Sequence, residues 1–474
     1  MSADGSVATA PSRPGTAPAA SRGGESAAGT GAPRVSFRVR VWNRRWPLVT
    51  MVVFVVVGMT YDLCWAPLVH HTAGWTIPGD IWSTWRAAHW VGWGSLGGVY
   101  GSDTQLVTFP GIAVVLAPVA MLSSHLGLTE SIDPIFLATP SSWYLLGPAT
   151  LVLGSLCLVP FDAVAEELGV TPRRRIALSM IEATVIFEVV VMWGHPEDLL
   201  AVGLGLYGFL ASERSRWTRS GWLWGAAIVV QPLVLVLVPL QLARVPARQW
   251  ARTVILAALP SVVLVGTPLV TNWRQTSKVL LHQANSPGIN HPTPWIVLSP
   301  HLSGGSVGAG PGRILALLAA LGLGLVALRI RPTLLGLVWL GALALSGRCF
   351  FESVMVPFYL GPPLAVAVLV ASHHTNRWRM VGAWGAAMAA TVLAFQHLSE
   401  WGYWLPMVLL LGVALGCAWP GRRALVGSAR PARAGLAPLS GPGAGVPDLP
   451  VHRGRTGSNG QPGDRTAPHE AALR

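Results

Sequence analysis

Charge is scarce in this sequence. Of 474 residues only 11% are Asp, Glu, Lys or Arg, against about 25% in a soluble globular protein, while 52% are hydrophobic and mean hydropathy is +0.51. A soluble fold is thereby excluded and an all-α, polytopic integral membrane protein is expected. Lysine is nearly missing, with Lys278 alone. Cysteine is rare: Cys64, Cys157, Cys349 and Cys417 lie in or beside apolar segments without CxxC spacing, so neither a disulfide framework nor a zinc site is indicated. The Gly-x-Gly runs near Gly203 and Gly305 lead to no Lys-Ser/Thr, so there is no P-loop and nucleotide-driven transport is not suggested. HExxH and a clear DxD pair are missing too, and no metal or cofactor is expected.

The charge that is present sits mostly at the ends. Lys and Arg outnumber Asp and Glu by 33 to 20, a net of +13. Residues 1–46 carry seven Arg against Asp4 and Glu25, and residues 420–474 carry eight Arg against Asp448, Asp464 and Glu470, so each tail contributes +5. Residues 47–419 are left with +3, which removes the nucleic-acid interpretation that the total invites. Both tails are rich in Gly, Pro, Ser and Ala without apolar periodicity, and are expected to be disordered and cytoplasmic, by the positive-inside bias. The first apolar run begins only after Trp46, behind Arg44 and Arg45, as an uncleaved first span would.

About 11–12 transmembrane or re-entrant helices are expected, over 47–64, 110–127, 143–160, 175–193, 197–212, 220–243, 253–271, 313–329, 332–346, 354–371, 379–397 and 402–419. The stretch 220–243 has Gln231 and Pro232 in its middle and arginines at both ends, which predicts a re-entrant hairpin with Gln231 facing a cavity. One segment between 110 and 160 is expected not to span fully. Residues 65–109 and 272–312 are too long to be connectors and are expected outside. The first contains six tryptophans (Trp65, Trp75, Trp82, Trp85, Trp90, Trp93), which predict short amphipathic helices along the outer surface, with aromatic faces for sugars or lipids.

An ionisable group at membrane depth is costly, so each one is a functional candidate. They are Asp62, Asp80, Glu182, Glu188, Glu197, Asp198, Arg348, Glu352 and Glu400. Asp80, in GDIWSTWRAAHWVGWGSLGGVY, is either a general base toward a sugar hydroxyl or an ordinary helix cap. His195, Glu197 and Asp198 open a helix, where the acids also suit the macrodipole and His195 either donates to a phosphate or is an interfacial histidine. Arg348 offers a fork of donors to a phosphate or pairs with Glu352 four residues on. Arg274, Lys278, His282 and His291 are second-tier phosphate ligands.

GDIWSTWRAAHWVGWGSLGGVY followed by TFPGIAVVLAPVAML resembles a pattern of the GT-C superfamily polyprenyl-phosphate-mannose-dependent mannosyltransferases, the bacterial DUF2029-like group: an Asp, an Ala-rich stretch, G-x-x-VY, then a YPP-type helix opening. GHPEDLL, SERSRWTRSG, WGAAIV and Gln231-Pro232 are similar to its G-Q-x-N helix start, basic loop, G-x-x-x-G-x-A and Lys-Pro type break. His195 and Asp198 stand where the family has Gln and Asn, and Gln231 where it has lysine. LSGRCFFESVMVPFYLGPP stands for the family's S-P-x-S-W-x-H-H, keeping Ser346 but with Arg348 and Glu352 near the expected histidines.

Over residues 47–371 the resemblance implies a GT-C-like domain with Asp80 as base and the tryptophan loop over the catalytic cavity. It further implies a cell-membrane transferase moving a sugar, mannose by the family, from a polyprenyl-phosphate donor to a lipid or glycan acceptor at the outer face. The donor phosphate and substrate would be held by residues drawn from Arg348, His195, Arg86, Gln231, Glu352 and His291. Two other classes stand beside it: a transporter or flippase with Glu182, Glu188 and Glu352 along its path, and a GT-C-like scaffold without activity.

Overall fold

The computed structural model describes residues 44–65, 79–128, 141–281, 290–394 and 400–426, with Asn285 and Pro287, and with gaps at 103, 105, 107, 303–304 and 309. The expected tails beyond those limits, the 129–140 loop, Trp75 and His282 lie outside the described residues. The described residues are mostly helical; they also form an antiparallel ribbon, β1 (His291–Pro292) against β2 (Val354–Met355) with His291 opposite Met355, and isolated bridges from Val307 to Asn285 and His301.

In order come α1 (Arg45–Thr60), α2 (Gly79–Gly92), α3 (Gly111–His125), α4 (Trp143–Ser155), α5 (Leu158–Glu167), α6 (Pro172–Ile186) and α7 (Pro196–Glu213). Then follow α8 (Trp217–Val230), α9 (Val238–Arg244), α10 (Ala247–Thr271), α11 (Trp273–Leu281), α12 (Gly312–Ile330) and α13 (Leu334–Phe351). The last are α14 (Gly361–Ala371), α15 (Arg377–Leu393), α16 (Glu400–Cys417) and α17 (Arg422–Leu425). Four runs are long and apolar enough to cross a membrane: Trp143–Glu167, α10, α12 and α13. α10 and α12 bury only 22% of their apolar windows and turn leucines, valines and isoleucines outward, as helices facing lipid do, whereas every residue of α14 is buried. α3 has 15 residues, about 22 Å, shorter than a ~30 Å hydrocarbon core.

The tryptophan loop is partly inward-facing, contrary to the expectation of stacking faces. α2 packs along α3, and its residues Ile81, Trp82, Trp85 and Ala88 recur at helical spacing and are buried. Burying an indole as fully as Trp85 removes roughly 200 Å² from solvent, about 5 kcal/mol, so these rings anchor α2. Trp93 remains 61% exposed.

The stretch from α8 to α9 reverses at Gln231. Gln231 is extended (φ −151°, ψ 113°), and Pro232 opens a 3-10 turn over Pro232–Leu237 before α9. Pro232 has no N–H to give α8 another bond, so the helix stops there. Gln241 of the second limb donates to Ser212 (2.6 Å) and Ser220 (2.9 Å), near the end of α7 and the start of α8. Both limbs therefore begin and end beside the C-terminus of α7, and Gln231 is carried to the N-terminus of α7.

Arginines gather at that C-terminal end of α7. Asp162 accepts from Arg44 (2.9 Å) and Arg175 (2.6 Å), while Arg214 pairs with Glu167 and Arg244 with Glu213.

The approach of α3 to α8 seats the α2–α3 segment on the core, and it depends on Gly111. A Cβ there would strike the backbone of Val229 and Val230. Gly111→Ala is expected to destabilise the detergent-solubilised protein by about 1–3 kcal/mol, read as a lower melting temperature. Gly385→Ala, in α15 with open space around it, should be neutral or mildly stabilising.

Candidate functional site

Segments far apart in sequence meet at the N-terminal end of α7. His195 is its N-cap residue, Pro196 sets the first helical φ, and Glu197 and Asp198 occupy the first turn. Asp80, at the start of α2, accepts from His195 Nε2 (3.0 Å), and Glu197 accepts from His195 Nδ1 (2.9 Å). Both ring N–H groups are thus given to carboxylates, so the ring is an imidazolium. Its face stacks on Phe358 with centroids 3.7 Å apart.

Burial by itself would discharge His195. The charge of Glu197, the bonds to Asp80 and Glu197 and the charge of Asp198 outweigh that penalty, and its pKa is pushed up to about 10. The His195 hydrogen bond in turn holds the Asp80 carboxyl below its ordinary value. Asp80 is half in solvent, its side chain 61% exposed, and its Oδ1 makes no bond among the described residues. It is an ionised carboxylate pinned at one oxygen and open at the other.

A second strand of the network runs inward. Asp198 Oδ1 accepts from Gln231 Nε2 (2.5 Å), and Gln231 Oε1 accepts from Thr108 (3.1 Å) at the entry to α3. Gln231, only 9% exposed, does not face an open cavity as expected: Asp198 and Thr108 fill the space and satisfy its amide. Glu197 Oε2 and Asp198 Oδ2 are buried with no hydrogen-bond partner.

Beside this network Glu352, almost wholly buried, is shared by two guanidinium groups. Arg313 Nε donates to Glu352 Oε1 (3.1 Å), and Arg348 Nε lies 3.9 Å from Glu352 Oε2. Arg348 lies flat on Tyr359 at 3.5 Å, and Tyr359 meets Phe358 edge-on. The aromatic pair thus has the His195 imidazolium at one end and the Arg348 guanidinium at the other. Arg313 spends its Nε on Glu352, whereas Arg348 is near it only as an ion pair and leaves Glu352 Oε2 without a hydrogen bond; the outer nitrogens of both arginines make no hydrogen bond among the described residues, and Arg313 Nη2 is buried. Two cations around one carboxylate leave a net positive charge, which suits a phosphate.

Of the expected site residues, Asp80, His195, Gln231, Arg348 and Glu352 come together. Arg86 does not: it is exposed on α2, and its Nε donates to the Trp82 carbonyl (3.4 Å). His291 stacks on Tyr403 (3.6 Å) in the ribbon. Glu188 accepts from Trp193 (3.1 Å), whose ring packs on Phe358, while Asp62 and Glu182 are buried elsewhere. The residues not foreseen are Arg313, Thr108, Phe358 and Tyr359.

Comparison of the chain with protein-family models finds no match, and comparison with curated proteins finds none. The site must therefore be interpreted from its own chemistry. His195, Glu197 and Asp198 hold ligand atoms within 4.8 Å of one another, the spacing of a metal site. A cation held there would need the His195 ring to give up one of its two protons and one of its two carboxylate contacts.

The pair carries a defined pH signature. His195 has a folded pKa of about 10 against an ordinary 6.5, so its stabilisation is complete below 6.5 and lost as pH rises through 10. Asp80 is lowered from 3.8, so its share is complete above 3.8 and lost as pH falls through the lowered value. The melting-temperature advantage of the wild type over His195→Gln should therefore be greatest between pH 3.8 and 6.5 and fade toward pH 10. A difference that is flat across pH would contradict the imidazolium.

Proposed function

We propose that this chain is a GT-C-type membrane glycosyltransferase that moves a sugar, mannose by the family resemblance, from a polyprenyl phosphate to a lipid or glycan hydroxyl at the outer face. The observation that carries the proposal is the state of Asp80. The residue that the resemblance marks as the base is an ionised carboxylate with one oxygen fixed by a buried imidazolium and the other open to solvent.

In the reaction, Asp80 Oδ1 takes the proton of the acceptor hydroxyl as the hydroxyl oxygen bonds to the anomeric carbon. The bond from that carbon to the phosphate oxygen breaks on the opposite face, inverting the centre, and the electron pair leaves with the lipid phosphate. His195 keeps both protons and orients Asp80. The leftover donors of Arg348 and Arg313 would receive the developing charge, with Glu352 holding the two guanidinium groups in place. An arginine where the family keeps histidines supports the same role, because its charge persists at any physiological pH. No cofactor enters this scheme; the lipid-linked sugar is the substrate.

The transporter alternative needs Glu182, Glu188 and Glu352 along one path. Glu352 is instead held by Arg313 and Arg348, and Glu188 by Trp193, which favours the transferase.

In membranes supplied with labelled polyprenyl-phosphate-mannose, Asp80→Asn is expected to lower transfer by at least about a hundredfold at unchanged expression. Arg348→Ala and Arg313→Ala should each cost about a hundredfold, through the leaving group. Full transfer by Asp80→Asn would remove the base and with it the proposal.

A further inference from the structure

A cavity of about 420 Å³ lies where two helical turns meet, between α9 and α10 and between α12 and α13. Its lining includes Arg244, Ala247, Trp250, Leu328, Arg331 and Leu337, and no acidic residue. Arg244 pairs with Glu213, the last residue of α7, so the cavity stands about 27 Å along α7 from His195, remote from the proposed catalytic site.

Arg331 is the unusual residue here. It ends α12 in the left-handed conformation (φ 47°, ψ 64°) and its N–H returns to the Ala327 carbonyl (2.9 Å). Helix ends of this geometry favour glycine, since a side chain there costs about 1 kcal/mol. A chain with 53 glycines has an arginine at this position instead. The side chain is exposed and makes no hydrogen bond or ion pair among the described residues. Strain of this kind gathers at ligand clamps.

Two independent features point to an anion. The first is α10, 25 residues long, whose N-terminus lines the cavity at Ala247. Pro246 precedes it without a side-chain cap, and no acidic residue occupies the first turn, so the Ala247 and Arg248 N–H groups and the positive end of the dipole are uncompensated. The second is the charge balance. Arg244 is neutralised by Glu213 and bonds the Pro332 carbonyl (3.4 Å), which leaves Arg331 as the free cation of the lining.

The surroundings identify the source of the anion. Along α12, Leu317, Leu321, Leu325 and Leu328 are 39–55% exposed on one stripe that runs about 16 Å away from the cavity, and α10 turns Val254, Ile255 and Val262 outward beside Trp250. Trp250 donates its indole N–H to the Val245 carbonyl (2.8 Å) with its ring half-exposed, the placement of an interfacial tryptophan. A phosphate at the helix end with apolar tracks leading away fits a glycerophospholipid and not a free ion. We propose that this cavity binds the phosphate headgroup of an anionic membrane lipid, held by Arg331 and the N-terminus of α10, with acyl chains along the outward faces of α10 and α12. The site stands apart from the transferase proposal and does not depend on it.

The test is thermal melting of the full-length protein in detergent, titrated with phosphatidylglycerol, phosphatidylcholine or inorganic phosphate. Phosphatidylglycerol is expected to raise the melting temperature, and the other two to do little. Arg331→Gly removes the guanidinium and relieves the backbone, so it should melt no lower than the wild type without lipid yet lose most of the phosphatidylglycerol shift. Arg252→Ala, exposed on α10 away from the lining, should keep the whole shift. Should Arg331→Gly fail to fold, Arg331→Gln carries the same expectation. A full phosphatidylglycerol shift in these Arg331 variants, or an equal shift with phosphatidylcholine, would overturn the site. An equal shift with inorganic phosphate would overturn its assignment to a lipid.

Discussion

A buried charge must be answered by another charge, and in this chain the buried imidazolium of His195 is answered by Asp80 and Glu197. The Asp80 end of this arrangement is exposed and His195 keeps Glu197 without it, so the Asp80–His195 contact contributes on the order of 1 kcal/mol, while the buried His195–Glu197 pair is the costlier one to break. The Asp80–His195 contact ties α2 to the start of α7. Trp82 and Trp85 supply the apolar half of the same attachment by seating α2 on α3. If Asp80 acts as the proposed base, such a tether matters, since an error of about 1 Å in its placement would cost a large part of the rate.

The same constraint organises the inner network. Gln231 stands at the one extended residue between two helical limbs, where a broken helix leaves backbone groups that must be answered by protein. Its side chain spans Asp198 and Thr108, so the break, the start of α7 and the entry to α3 are joined by one amide. Farther along, Glu352 joins α12 to α13 through Arg313 and Arg348. The Gln231 and Glu352 junctions are polar, while α2 on α3 and α3 on α8 are joined by apolar contact.

Much of this was legible in the sequence because charge is so sparse. Of the nine ionisable groups in apolar surroundings, Asp80, Glu197, Asp198, Arg348 and Glu352 gather with His195 around one end of α7, whereas Asp62 and Glu182 are buried elsewhere, each with an oxygen that has no hydrogen-bond partner among the described residues. The reversal at Gln231 followed from proline chemistry and arginines at both ends. Other features were not legible, for physical reasons. Arg313 reaches Glu352 across 39 residues, a pairing that only the packing of α12 on α13 creates. Phe358 and Tyr359 look like any aromatic residues before a proline pair until the His195 and Arg348 cations are placed on them. The tryptophans of the first loop were misjudged because interfacial and core indoles share a composition; only the helical spacing of Trp82 and Trp85 separates them. Arg86 lies six residues beyond Asp80, which on a helix turns it away from the carboxylate, and His291 is taken up by Tyr403.

The central claim is that the N-terminal end of α7 is where a polyprenyl-phosphate sugar reacts. A structure of the full-length protein in lipid, solved with a polyprenyl phosphate bound, tests it most directly. The account predicts phosphate density within hydrogen-bonding distance of Arg348 and Arg313, on the side of Asp80 that His195 leaves open. Phosphate density confined to the basic end of the molecule, with the Asp80 side empty, would contradict it.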